Sequence, residues 1–214
     1  MKYRAGFLKV ACAWMLILMQ SLDAGHAPRK HAAAVPCRPK ELTALTKSLA
    51  EASLTGFDEA NGKHLGTWSP GFPELQVRQN SSFNASKVQC SLLFMAQGLE
   101  KILVDQVRNL NPDDVSLHKN LRETISRVNM LAACVREIHG GECSPKPSPP
   151  TMPKHVFERK QWSHTLLKTS RDYLGWLELK LGVQIAKVKG KDEMKHAGTA
   201  ATRHRYLEGS GYHL

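Results

Sequence analysis

Apolar side chains recur every three, four and seven positions in four stretches of the chain, which places them on one face of a helix turning every 3.6 residues. The longest stretch is 156–188, VFERKQWSHTLLKTSRDYLGWLELKLGVQIAKV. Leu166, Tyr173, Leu177, Leu181, Ile185 and Val188 form its stripe, with Lys168, Arg171, Asp172, Glu178, Lys180 and Lys187 between them. One face of this helix wants a core and the other wants water. Gly175 and Gly182 each cost about 1 kcal/mol against alanine, so burial rather than propensity must hold it. The clearest stripe is Leu117, Leu121, Ile125, Val128, Leu131, Val135 and Ile138, which predicts a helix over 112–139. Asn111-Pro112-Asp113-Asp114 opens that helix with Asn111 as its cap, proline at the first helical position and two carboxylates at the positive end of the dipole. Gly140-Gly141 closes it. Leu92, Leu93, Met95, Leu99, Ile102 and Leu103 predict a helix over 86–107; Leu42, Leu45, Leu49 and Phe57 predict one over 39–57, entered at Pro39.

The connections differ in length. Between the first two helices the chain is rich in Gly, Pro, Ser and Asn and has no sustained period, so it reads as a long loop. SPKPSPPTMPK, residues 144–154, lacks donors and has φ fixed at its prolines, which makes it a semi-extended strap. The middle link, RNLNP, is brief. A short link forces antiparallel neighbours, while long ones can run the length of a bundle. The pattern predicts an all-α, long-chain four-helix bundle with up-up-down-down topology over 36–188. Beyond Val188 the apolar period is lost and Gly, Lys and His accumulate, so 189–214 is expected to be a basic disordered tail.

Lys2, Arg4 and Lys9, the apolar run Val10–Met19 and small residues at Ala24 and Ala27 follow the order of a secretory signal. The expected signal is 1–24, with cleavage as late as 27. Its apolar run is too short to span a bilayer, so the mature chain is expected to be secreted, with no membrane insertion. Removing it also removes Cys12 and leaves Cys37, Cys90, Cys134 and Cys143. An even number in an oxidising compartment suggests two disulfides, for which four cysteines allow three pairings. In the predicted topology all four fall at one end of the bundle. Cys90 lies about one turn into the second helix and Cys143 just past the end of its antiparallel neighbour, so register favours Cys90–Cys143 and leaves Cys37–Cys134. Asn80-Ser81-Ser82 and Asn84-Ala85-Ser86 are glycosylation sequons, with Asn80 and Asn84 as acceptors.

The formal net charge is +11 and stays strongly positive without the signal. A basic secreted protein tends to linger on acidic glycans. No zinc-finger, RNA-recognition or helix-turn-helix signature accompanies the charge, so nucleic acid is not an expected partner. No His-x-x-x-His or Cys-x-x-Cys spacing, glycine-rich phosphate loop or nucleophile elbow is present, so neither an enzyme nor a metal or other cofactor is expected. His139, Gly140 and Cys143 read as a helix end beside a disulfide.

Three windows carry a resemblance. Leu110-Asn111-Pro112, then Ser116-Leu117-His118, Leu121 and Thr124, resembles the entry to the third helix of the leukaemia inhibitory factor family. Pro36-Cys37 is similar to that family's entry to the first helix, and Val156-Phe157-Glu158-Arg159-Lys160 with Leu166-Leu167 to its entry to the last. The family pattern has six cysteines where the mature chain has four. Its N-terminal cysteine pairs with one in the third helix, which agrees with Cys37–Cys134. The resemblance implies a monomeric cytokine of the interleukin-6 family that bridges glycoprotein 130 and a leukaemia-inhibitory-factor-type receptor, with Phe157 and Lys160 contacting the latter. A second receptor surface would lie on the outward faces of the first and third helices, where Lys47, Ser48 and Glu51 are candidates. The alternatives are another cytokine of the same bundle class, ciliary-neurotrophic, cardiotrophin or granulocyte-factor-like, or a basic glycan-binding or membrane-active secreted protein.

Overall fold

A computed structural model describes the backbone over 37–205 and the side chains over 37–184. Residues 1–36, which hold the expected signal, and residues 206–214 lie outside the described residues, as do the side chains of Ile185, Lys187 and Val188. Four α-helices are present: α1 Pro39–Asn61, α2 Ala85–Asp105, α3 Val115–His139 and α4 Val156–Arg205. A 3₁₀ turn at Pro73–Leu75 and a π-helical turn at Gln106–Leu110 complete the helical elements, and there is no strand among the described residues.

The core follows the predicted stripes on α2, α3 and α4. Leu92, Met95, Leu99, Ile102, Leu117, Leu121, Val128, Leu131, Val135, Leu166, Tyr173, Leu177 and Leu181 are all buried. Ile138 is the exception on α3, half exposed one residue before the helix ends.

Helix α1 departs from its predicted face. Leu45 is 45% exposed and Leu42 and Leu49 are only partly buried, whereas Thr43, Thr46, Ala50, Ser53, Leu54 and Phe57 point inward. The Thr43 and Thr46 hydroxyls donate to the Pro39 and Leu42 carbonyls at 2.7 and 2.6 Å, and Ser53 shares a hydrogen bond with Thr124 at 2.9 Å. Paired in this way, small polar side chains are buried at little cost. A search for leucine alone misses such a face.

Helix boundaries differ by more than two residues in three places. Helix α1 continues to Asn61 and stops at Gly62, where φ is 98° and the Gly62 N–H donates to the Asp58 carbonyl. Helix α3 begins at Val115, and Asp114 rather than Asn111 is its cap, accepting from the Leu117 N–H at 2.9 Å. Helix α4 continues past Val188 to Arg205, through a stretch expected to be disordered. Residues 189–205 contain Lys, Glu, Met and Ala and no proline. The lack of proline permits helical backbone there, although Gly190 and Gly198 disfavour it.

Helix α1 packs on α3 and α4, and α2 packs on the same two helices. Between α1 and α4, Lys47 pairs with Glu178 at 2.8 Å and Asp58 approaches His164 at 3.4 Å. Between α1 and α3, Ser53 meets Thr124, and a Cβ on Gly56 would lie 3.6 Å from Leu117. Gln89 donates to the Ala132 carbonyl between α2 and α3, and Gly98 and Asp105 of α2 face Leu166 and Arg159 of α4. In the α1–α3, α1–α4 and α2–α4 pairs, numbers rise along one helix as they fall along the other.

The long α1–α2 loop is part of the core. Leu65, Phe72 and Leu75 are buried, Trp68 stacks on Phe72 at 5.5 Å, and Phe72 meets Phe94 and Trp162 edge-on at 6.2 and 5.4 Å. Its weak periodicity hides these aromatic anchors, which face the core without repeating.

Candidate functional site

The first two turns of α4 are held on three sides. Arg159 Nε lies 3.2 Å from Asp105 Oδ1 and 3.3 Å from Oδ2, and Asn109 Nδ2 donates to the same carboxylate at 2.7 Å. Only 4% of the Asp105 side chain is exposed, so the ion pair is largely desolvated. Arg159 also donates to the Lys154 carbonyl at 2.9 Å, which fixes the end of the proline-rich strap. Gln161 Nε2 donates to the Leu65 carbonyl at 2.7 Å, tying the helix to the α1–α2 loop, and His164 faces Asp58 of α1.

On this anchored turn Phe157 is 60% exposed and Val156 53%. Phe157 is therefore not a hydrophobic staple that packs the helix entry onto its own bundle. Lys160 is partly buried and makes no ion pair among the described residues. On the α2 side of the same entry a cavity of about 580 Å³ is lined by residues that include Val104, Pro149, Met152, Pro153 and Arg159.

A second polar cluster sits at the same end of the bundle. Gln106 Oε1 accepts from Asn61 Nδ2 at 3.1 Å and from Asn111 Nδ2 at 2.7 Å, and Asn111 also donates to Asn61 Oδ1 at 3.1 Å. The π-helical turn, closed by the Asn111 N–H donating to the Gln106 carbonyl, brings these residues together. Asn111 is thus committed to joining α1 to the end of α2. Sequence reasoning did not single out Asp105 or Gln106 and met Arg159 only inside the Val156–Lys160 window, without a role; a charged or amide residue falling on an otherwise apolar face was the available signal.

At the opposite end Cys37 is bonded to Cys134, with Cα atoms 5.7 Å apart, and Cys90 to Cys143 at 4.9 Å. These are the pairs that register favours, and both separations suit a disulfide. His139 packs edge-on against Phe83 at 5.0 Å, and burial lowers its pKa from the ordinary histidine value. Asn80 lies exposed in a turn, while Asn84 caps α2 by accepting from the Lys87 N–H at 2.9 Å. Of the residues suggested for a second surface, Lys47 is engaged with Glu178 and Ser48 and Glu51 are exposed.

Among the described residues no helix is long and apolar enough to cross a membrane. Comparisons with protein-family models, curated proteins and solved structures give no match.

Proposed function

We propose that the chain is a secreted helical cytokine of the leukaemia inhibitory factor type, which signals by binding two receptor chains, glycoprotein 130 and a leukaemia-inhibitory-factor-type receptor. The observation that carries this reading is Phe157, an aromatic side chain 60% exposed on a helical turn whose neighbour Arg159 is pinned to Asp105. A rigid, exposed aromatic beside a lysine is the form of an interface anchor, and such anchors contribute about 2 kcal/mol or more when a partner desolvates them. Inter-helix contacts that run in opposite senses support an up-up-down-down arrangement, which is the cytokine topology. Two disulfides are consistent with an oxidising compartment.

Bridging requires two separated epitopes on one preorganised body. The entry of α4 supplies the first. The outward faces of α1 and α3, with Ser48 and Glu51, are the candidates for the second.

The test is binding of the refolded mature protein to each receptor ectodomain, with Phe157→Ala plus Lys160→Ala as the comparison and circular dichroism as the check on folding. The double variant keeps its helicity and its affinity for glycoprotein 130, and loses about thirtyfold or more toward the second receptor, the equivalent of about 2 kcal/mol. Equal binding by both proteins removes Phe157 from the interface. Failure of the unmodified protein to bind either receptor overturns the assignment.

A further inference from the structure

The α1–α2 loop and the Thr169–Val183 stretch of α4 enclose a groove of about 1060 Å³, at the upper end of the size range for cavities that take a ligand of several rings. Its apolar lining includes Val77, Tyr173 and Trp176, and it is edged by Leu179, 72% exposed, and Val183, 52% exposed. Large apolar side chains left open together on a folded surface usually mark a place that something covers. The loop side of the groove contains Asn80, the acceptor of the first sequon. Lys180 Nζ donates to the Gln79 carbonyl at 2.7 Å, so the turn that carries Asn80 is fastened to the helix that carries the apolar residues.

We propose that an N-linked glycan on Asn80 folds back into this groove and covers Trp176, Leu179 and Val183. The inference rests on the secretory reading above. Attachment joins Asn80 Nδ2 to the anomeric carbon of an oligosaccharide while the bond from that carbon to the pyrophosphate of its lipid carrier breaks; the amide nitrogen gives up one proton. The first sugars then start inside the groove. N-acetylglucosamine rings present an axial C–H face that stacks on the electron-rich face of an indole. Each such contact is weak, but a covalent tether holds the sugar at a high effective concentration beside Trp176, and weak contacts then suffice.

The second sequon has a different setting. Asn84 caps α2 and lines an adjoining hollow with Ser82, Ser86 and Glu142, which shares Val77, Tyr173 and Trp176 with the groove but does not reach Leu179 or Val183. Of the two acceptors, only Asn80 lines the part of the groove edged by Leu179 and Val183, which is why the cover is assigned to its glycan.

The full chain is expressed in glycosylating secretory cells as Asn84→Gln, which leaves Asn80 as the single acceptor, and occupancy is read by peptide mass. Nuclear Overhauser contacts are then sought between the N-acetyl methyl groups and the Trp176 ring, with Trp176→Phe assigning the signal. Binding of an apolar dye is compared before and after endoglycosidase treatment. The expected result is Overhauser contacts that vanish in Trp176→Phe, and dye fluorescence that rises when the glycan is removed. An occupied Asn80 with no contacts and unchanged dye binding overturns the inference alone, as does a secreted chain with Asn80 bare. A chain retained in the cell without a glycan overturns the secretory reading and this inference with it.

Discussion

Replacing Arg159 by Met removes the cationic partner of a carboxylate of which only 4% of the side chain is exposed. Met keeps most of the apolar stem of arginine, so the change falls mainly on the charge. Breaking a buried pair from one side costs about 3 to 5 kcal/mol, because the remaining charge is left desolvated. Asp105 would keep its hydrogen bond from Asn109, and the Arg159 side chain is itself 19% exposed, so the low end, about 3 kcal/mol, is expected. With a urea dependence of about 2 kcal/mol per molar, the unfolding midpoint falls by about 1.5 M. Equilibrium urea unfolding, followed by far-ultraviolet circular dichroism with both disulfides intact, measures this directly. Asp105→Asn combined with Arg159→Met removes both charges and recovers to within about 1 kcal/mol of the parent, since no unpaired charge stays buried. A loss below about 1 kcal/mol for Arg159→Met would mean that the pair behaves as an exposed one. A double variant no more stable than the sum of the singles would remove the coupling altogether. Either result refutes the view that this ion pair fixes the entry of α4.

Two glycines give effects of opposite sign. Gly98→Ala drives a Cβ into the Leu166 side chain and close to Pro150, so thermal unfolding shows a net loss of about 1 to 2 kcal/mol despite better helix propensity. Gly56→Ala meets Leu117 at an ordinary 3.6 Å and gains about 0.5 to 1 kcal/mol in the same assay. Burial raises the Tyr173 pKa to about 12, opposed by a hydrogen bond with Ser91. Its stabilising contribution is complete below the unfolded value near 10 and is lost as pH rises toward 12; Tyr173→Phe flattens that alkaline loss in a stability–pH profile. Asp114→Ala costs about 1 kcal/mol through the lost cap of α3, read by urea unfolding. Asn111→Ala leaves that cap intact and loosens the junction of α1 with α2, seen as faster amide exchange around Asn61 and Gln106.

The three leucine-rich stripes were legible because their burial follows one simple period. The face of α1 was not, because Thr43, Thr46 and Ser53 satisfy their hydroxyls locally or across to α3 and so behave as small apolar residues. Asn111 carries every local sign of a cap, yet a π-helical turn shifts the start of α3 by three residues and hands the role to Asp114. That shift depends on long-range pairing with Asn61, which no local window contains. Phe157 and Lys160 were singled out by resemblance; the exposure of Phe157 needed the packed structure. Its support from Asp105 spans 54 residues of sequence and was invisible for the same reason.

The two ends of the bundle are built differently. Where α1 and α2 begin and α3 ends, covalent bonds close loops of 97 and 53 residues. At the other end noncovalent contacts join the termini of α1, α2 and α4, among them the Asn61–Gln106–Asn111 hydrogen bonds, the Arg159–Asp105 ion pair and the approach of His164 to Asp58. The molecule is thus riveted at one extremity and laced at the other. Partial opening in the intact chain starts at the laced extremity and travels toward the rivets. Phe157 stands at that extremity, so a ligand that clasps it also damps the fraying of the helix ends joined there, and occupancy would register as slowed amide exchange well beyond the contact itself.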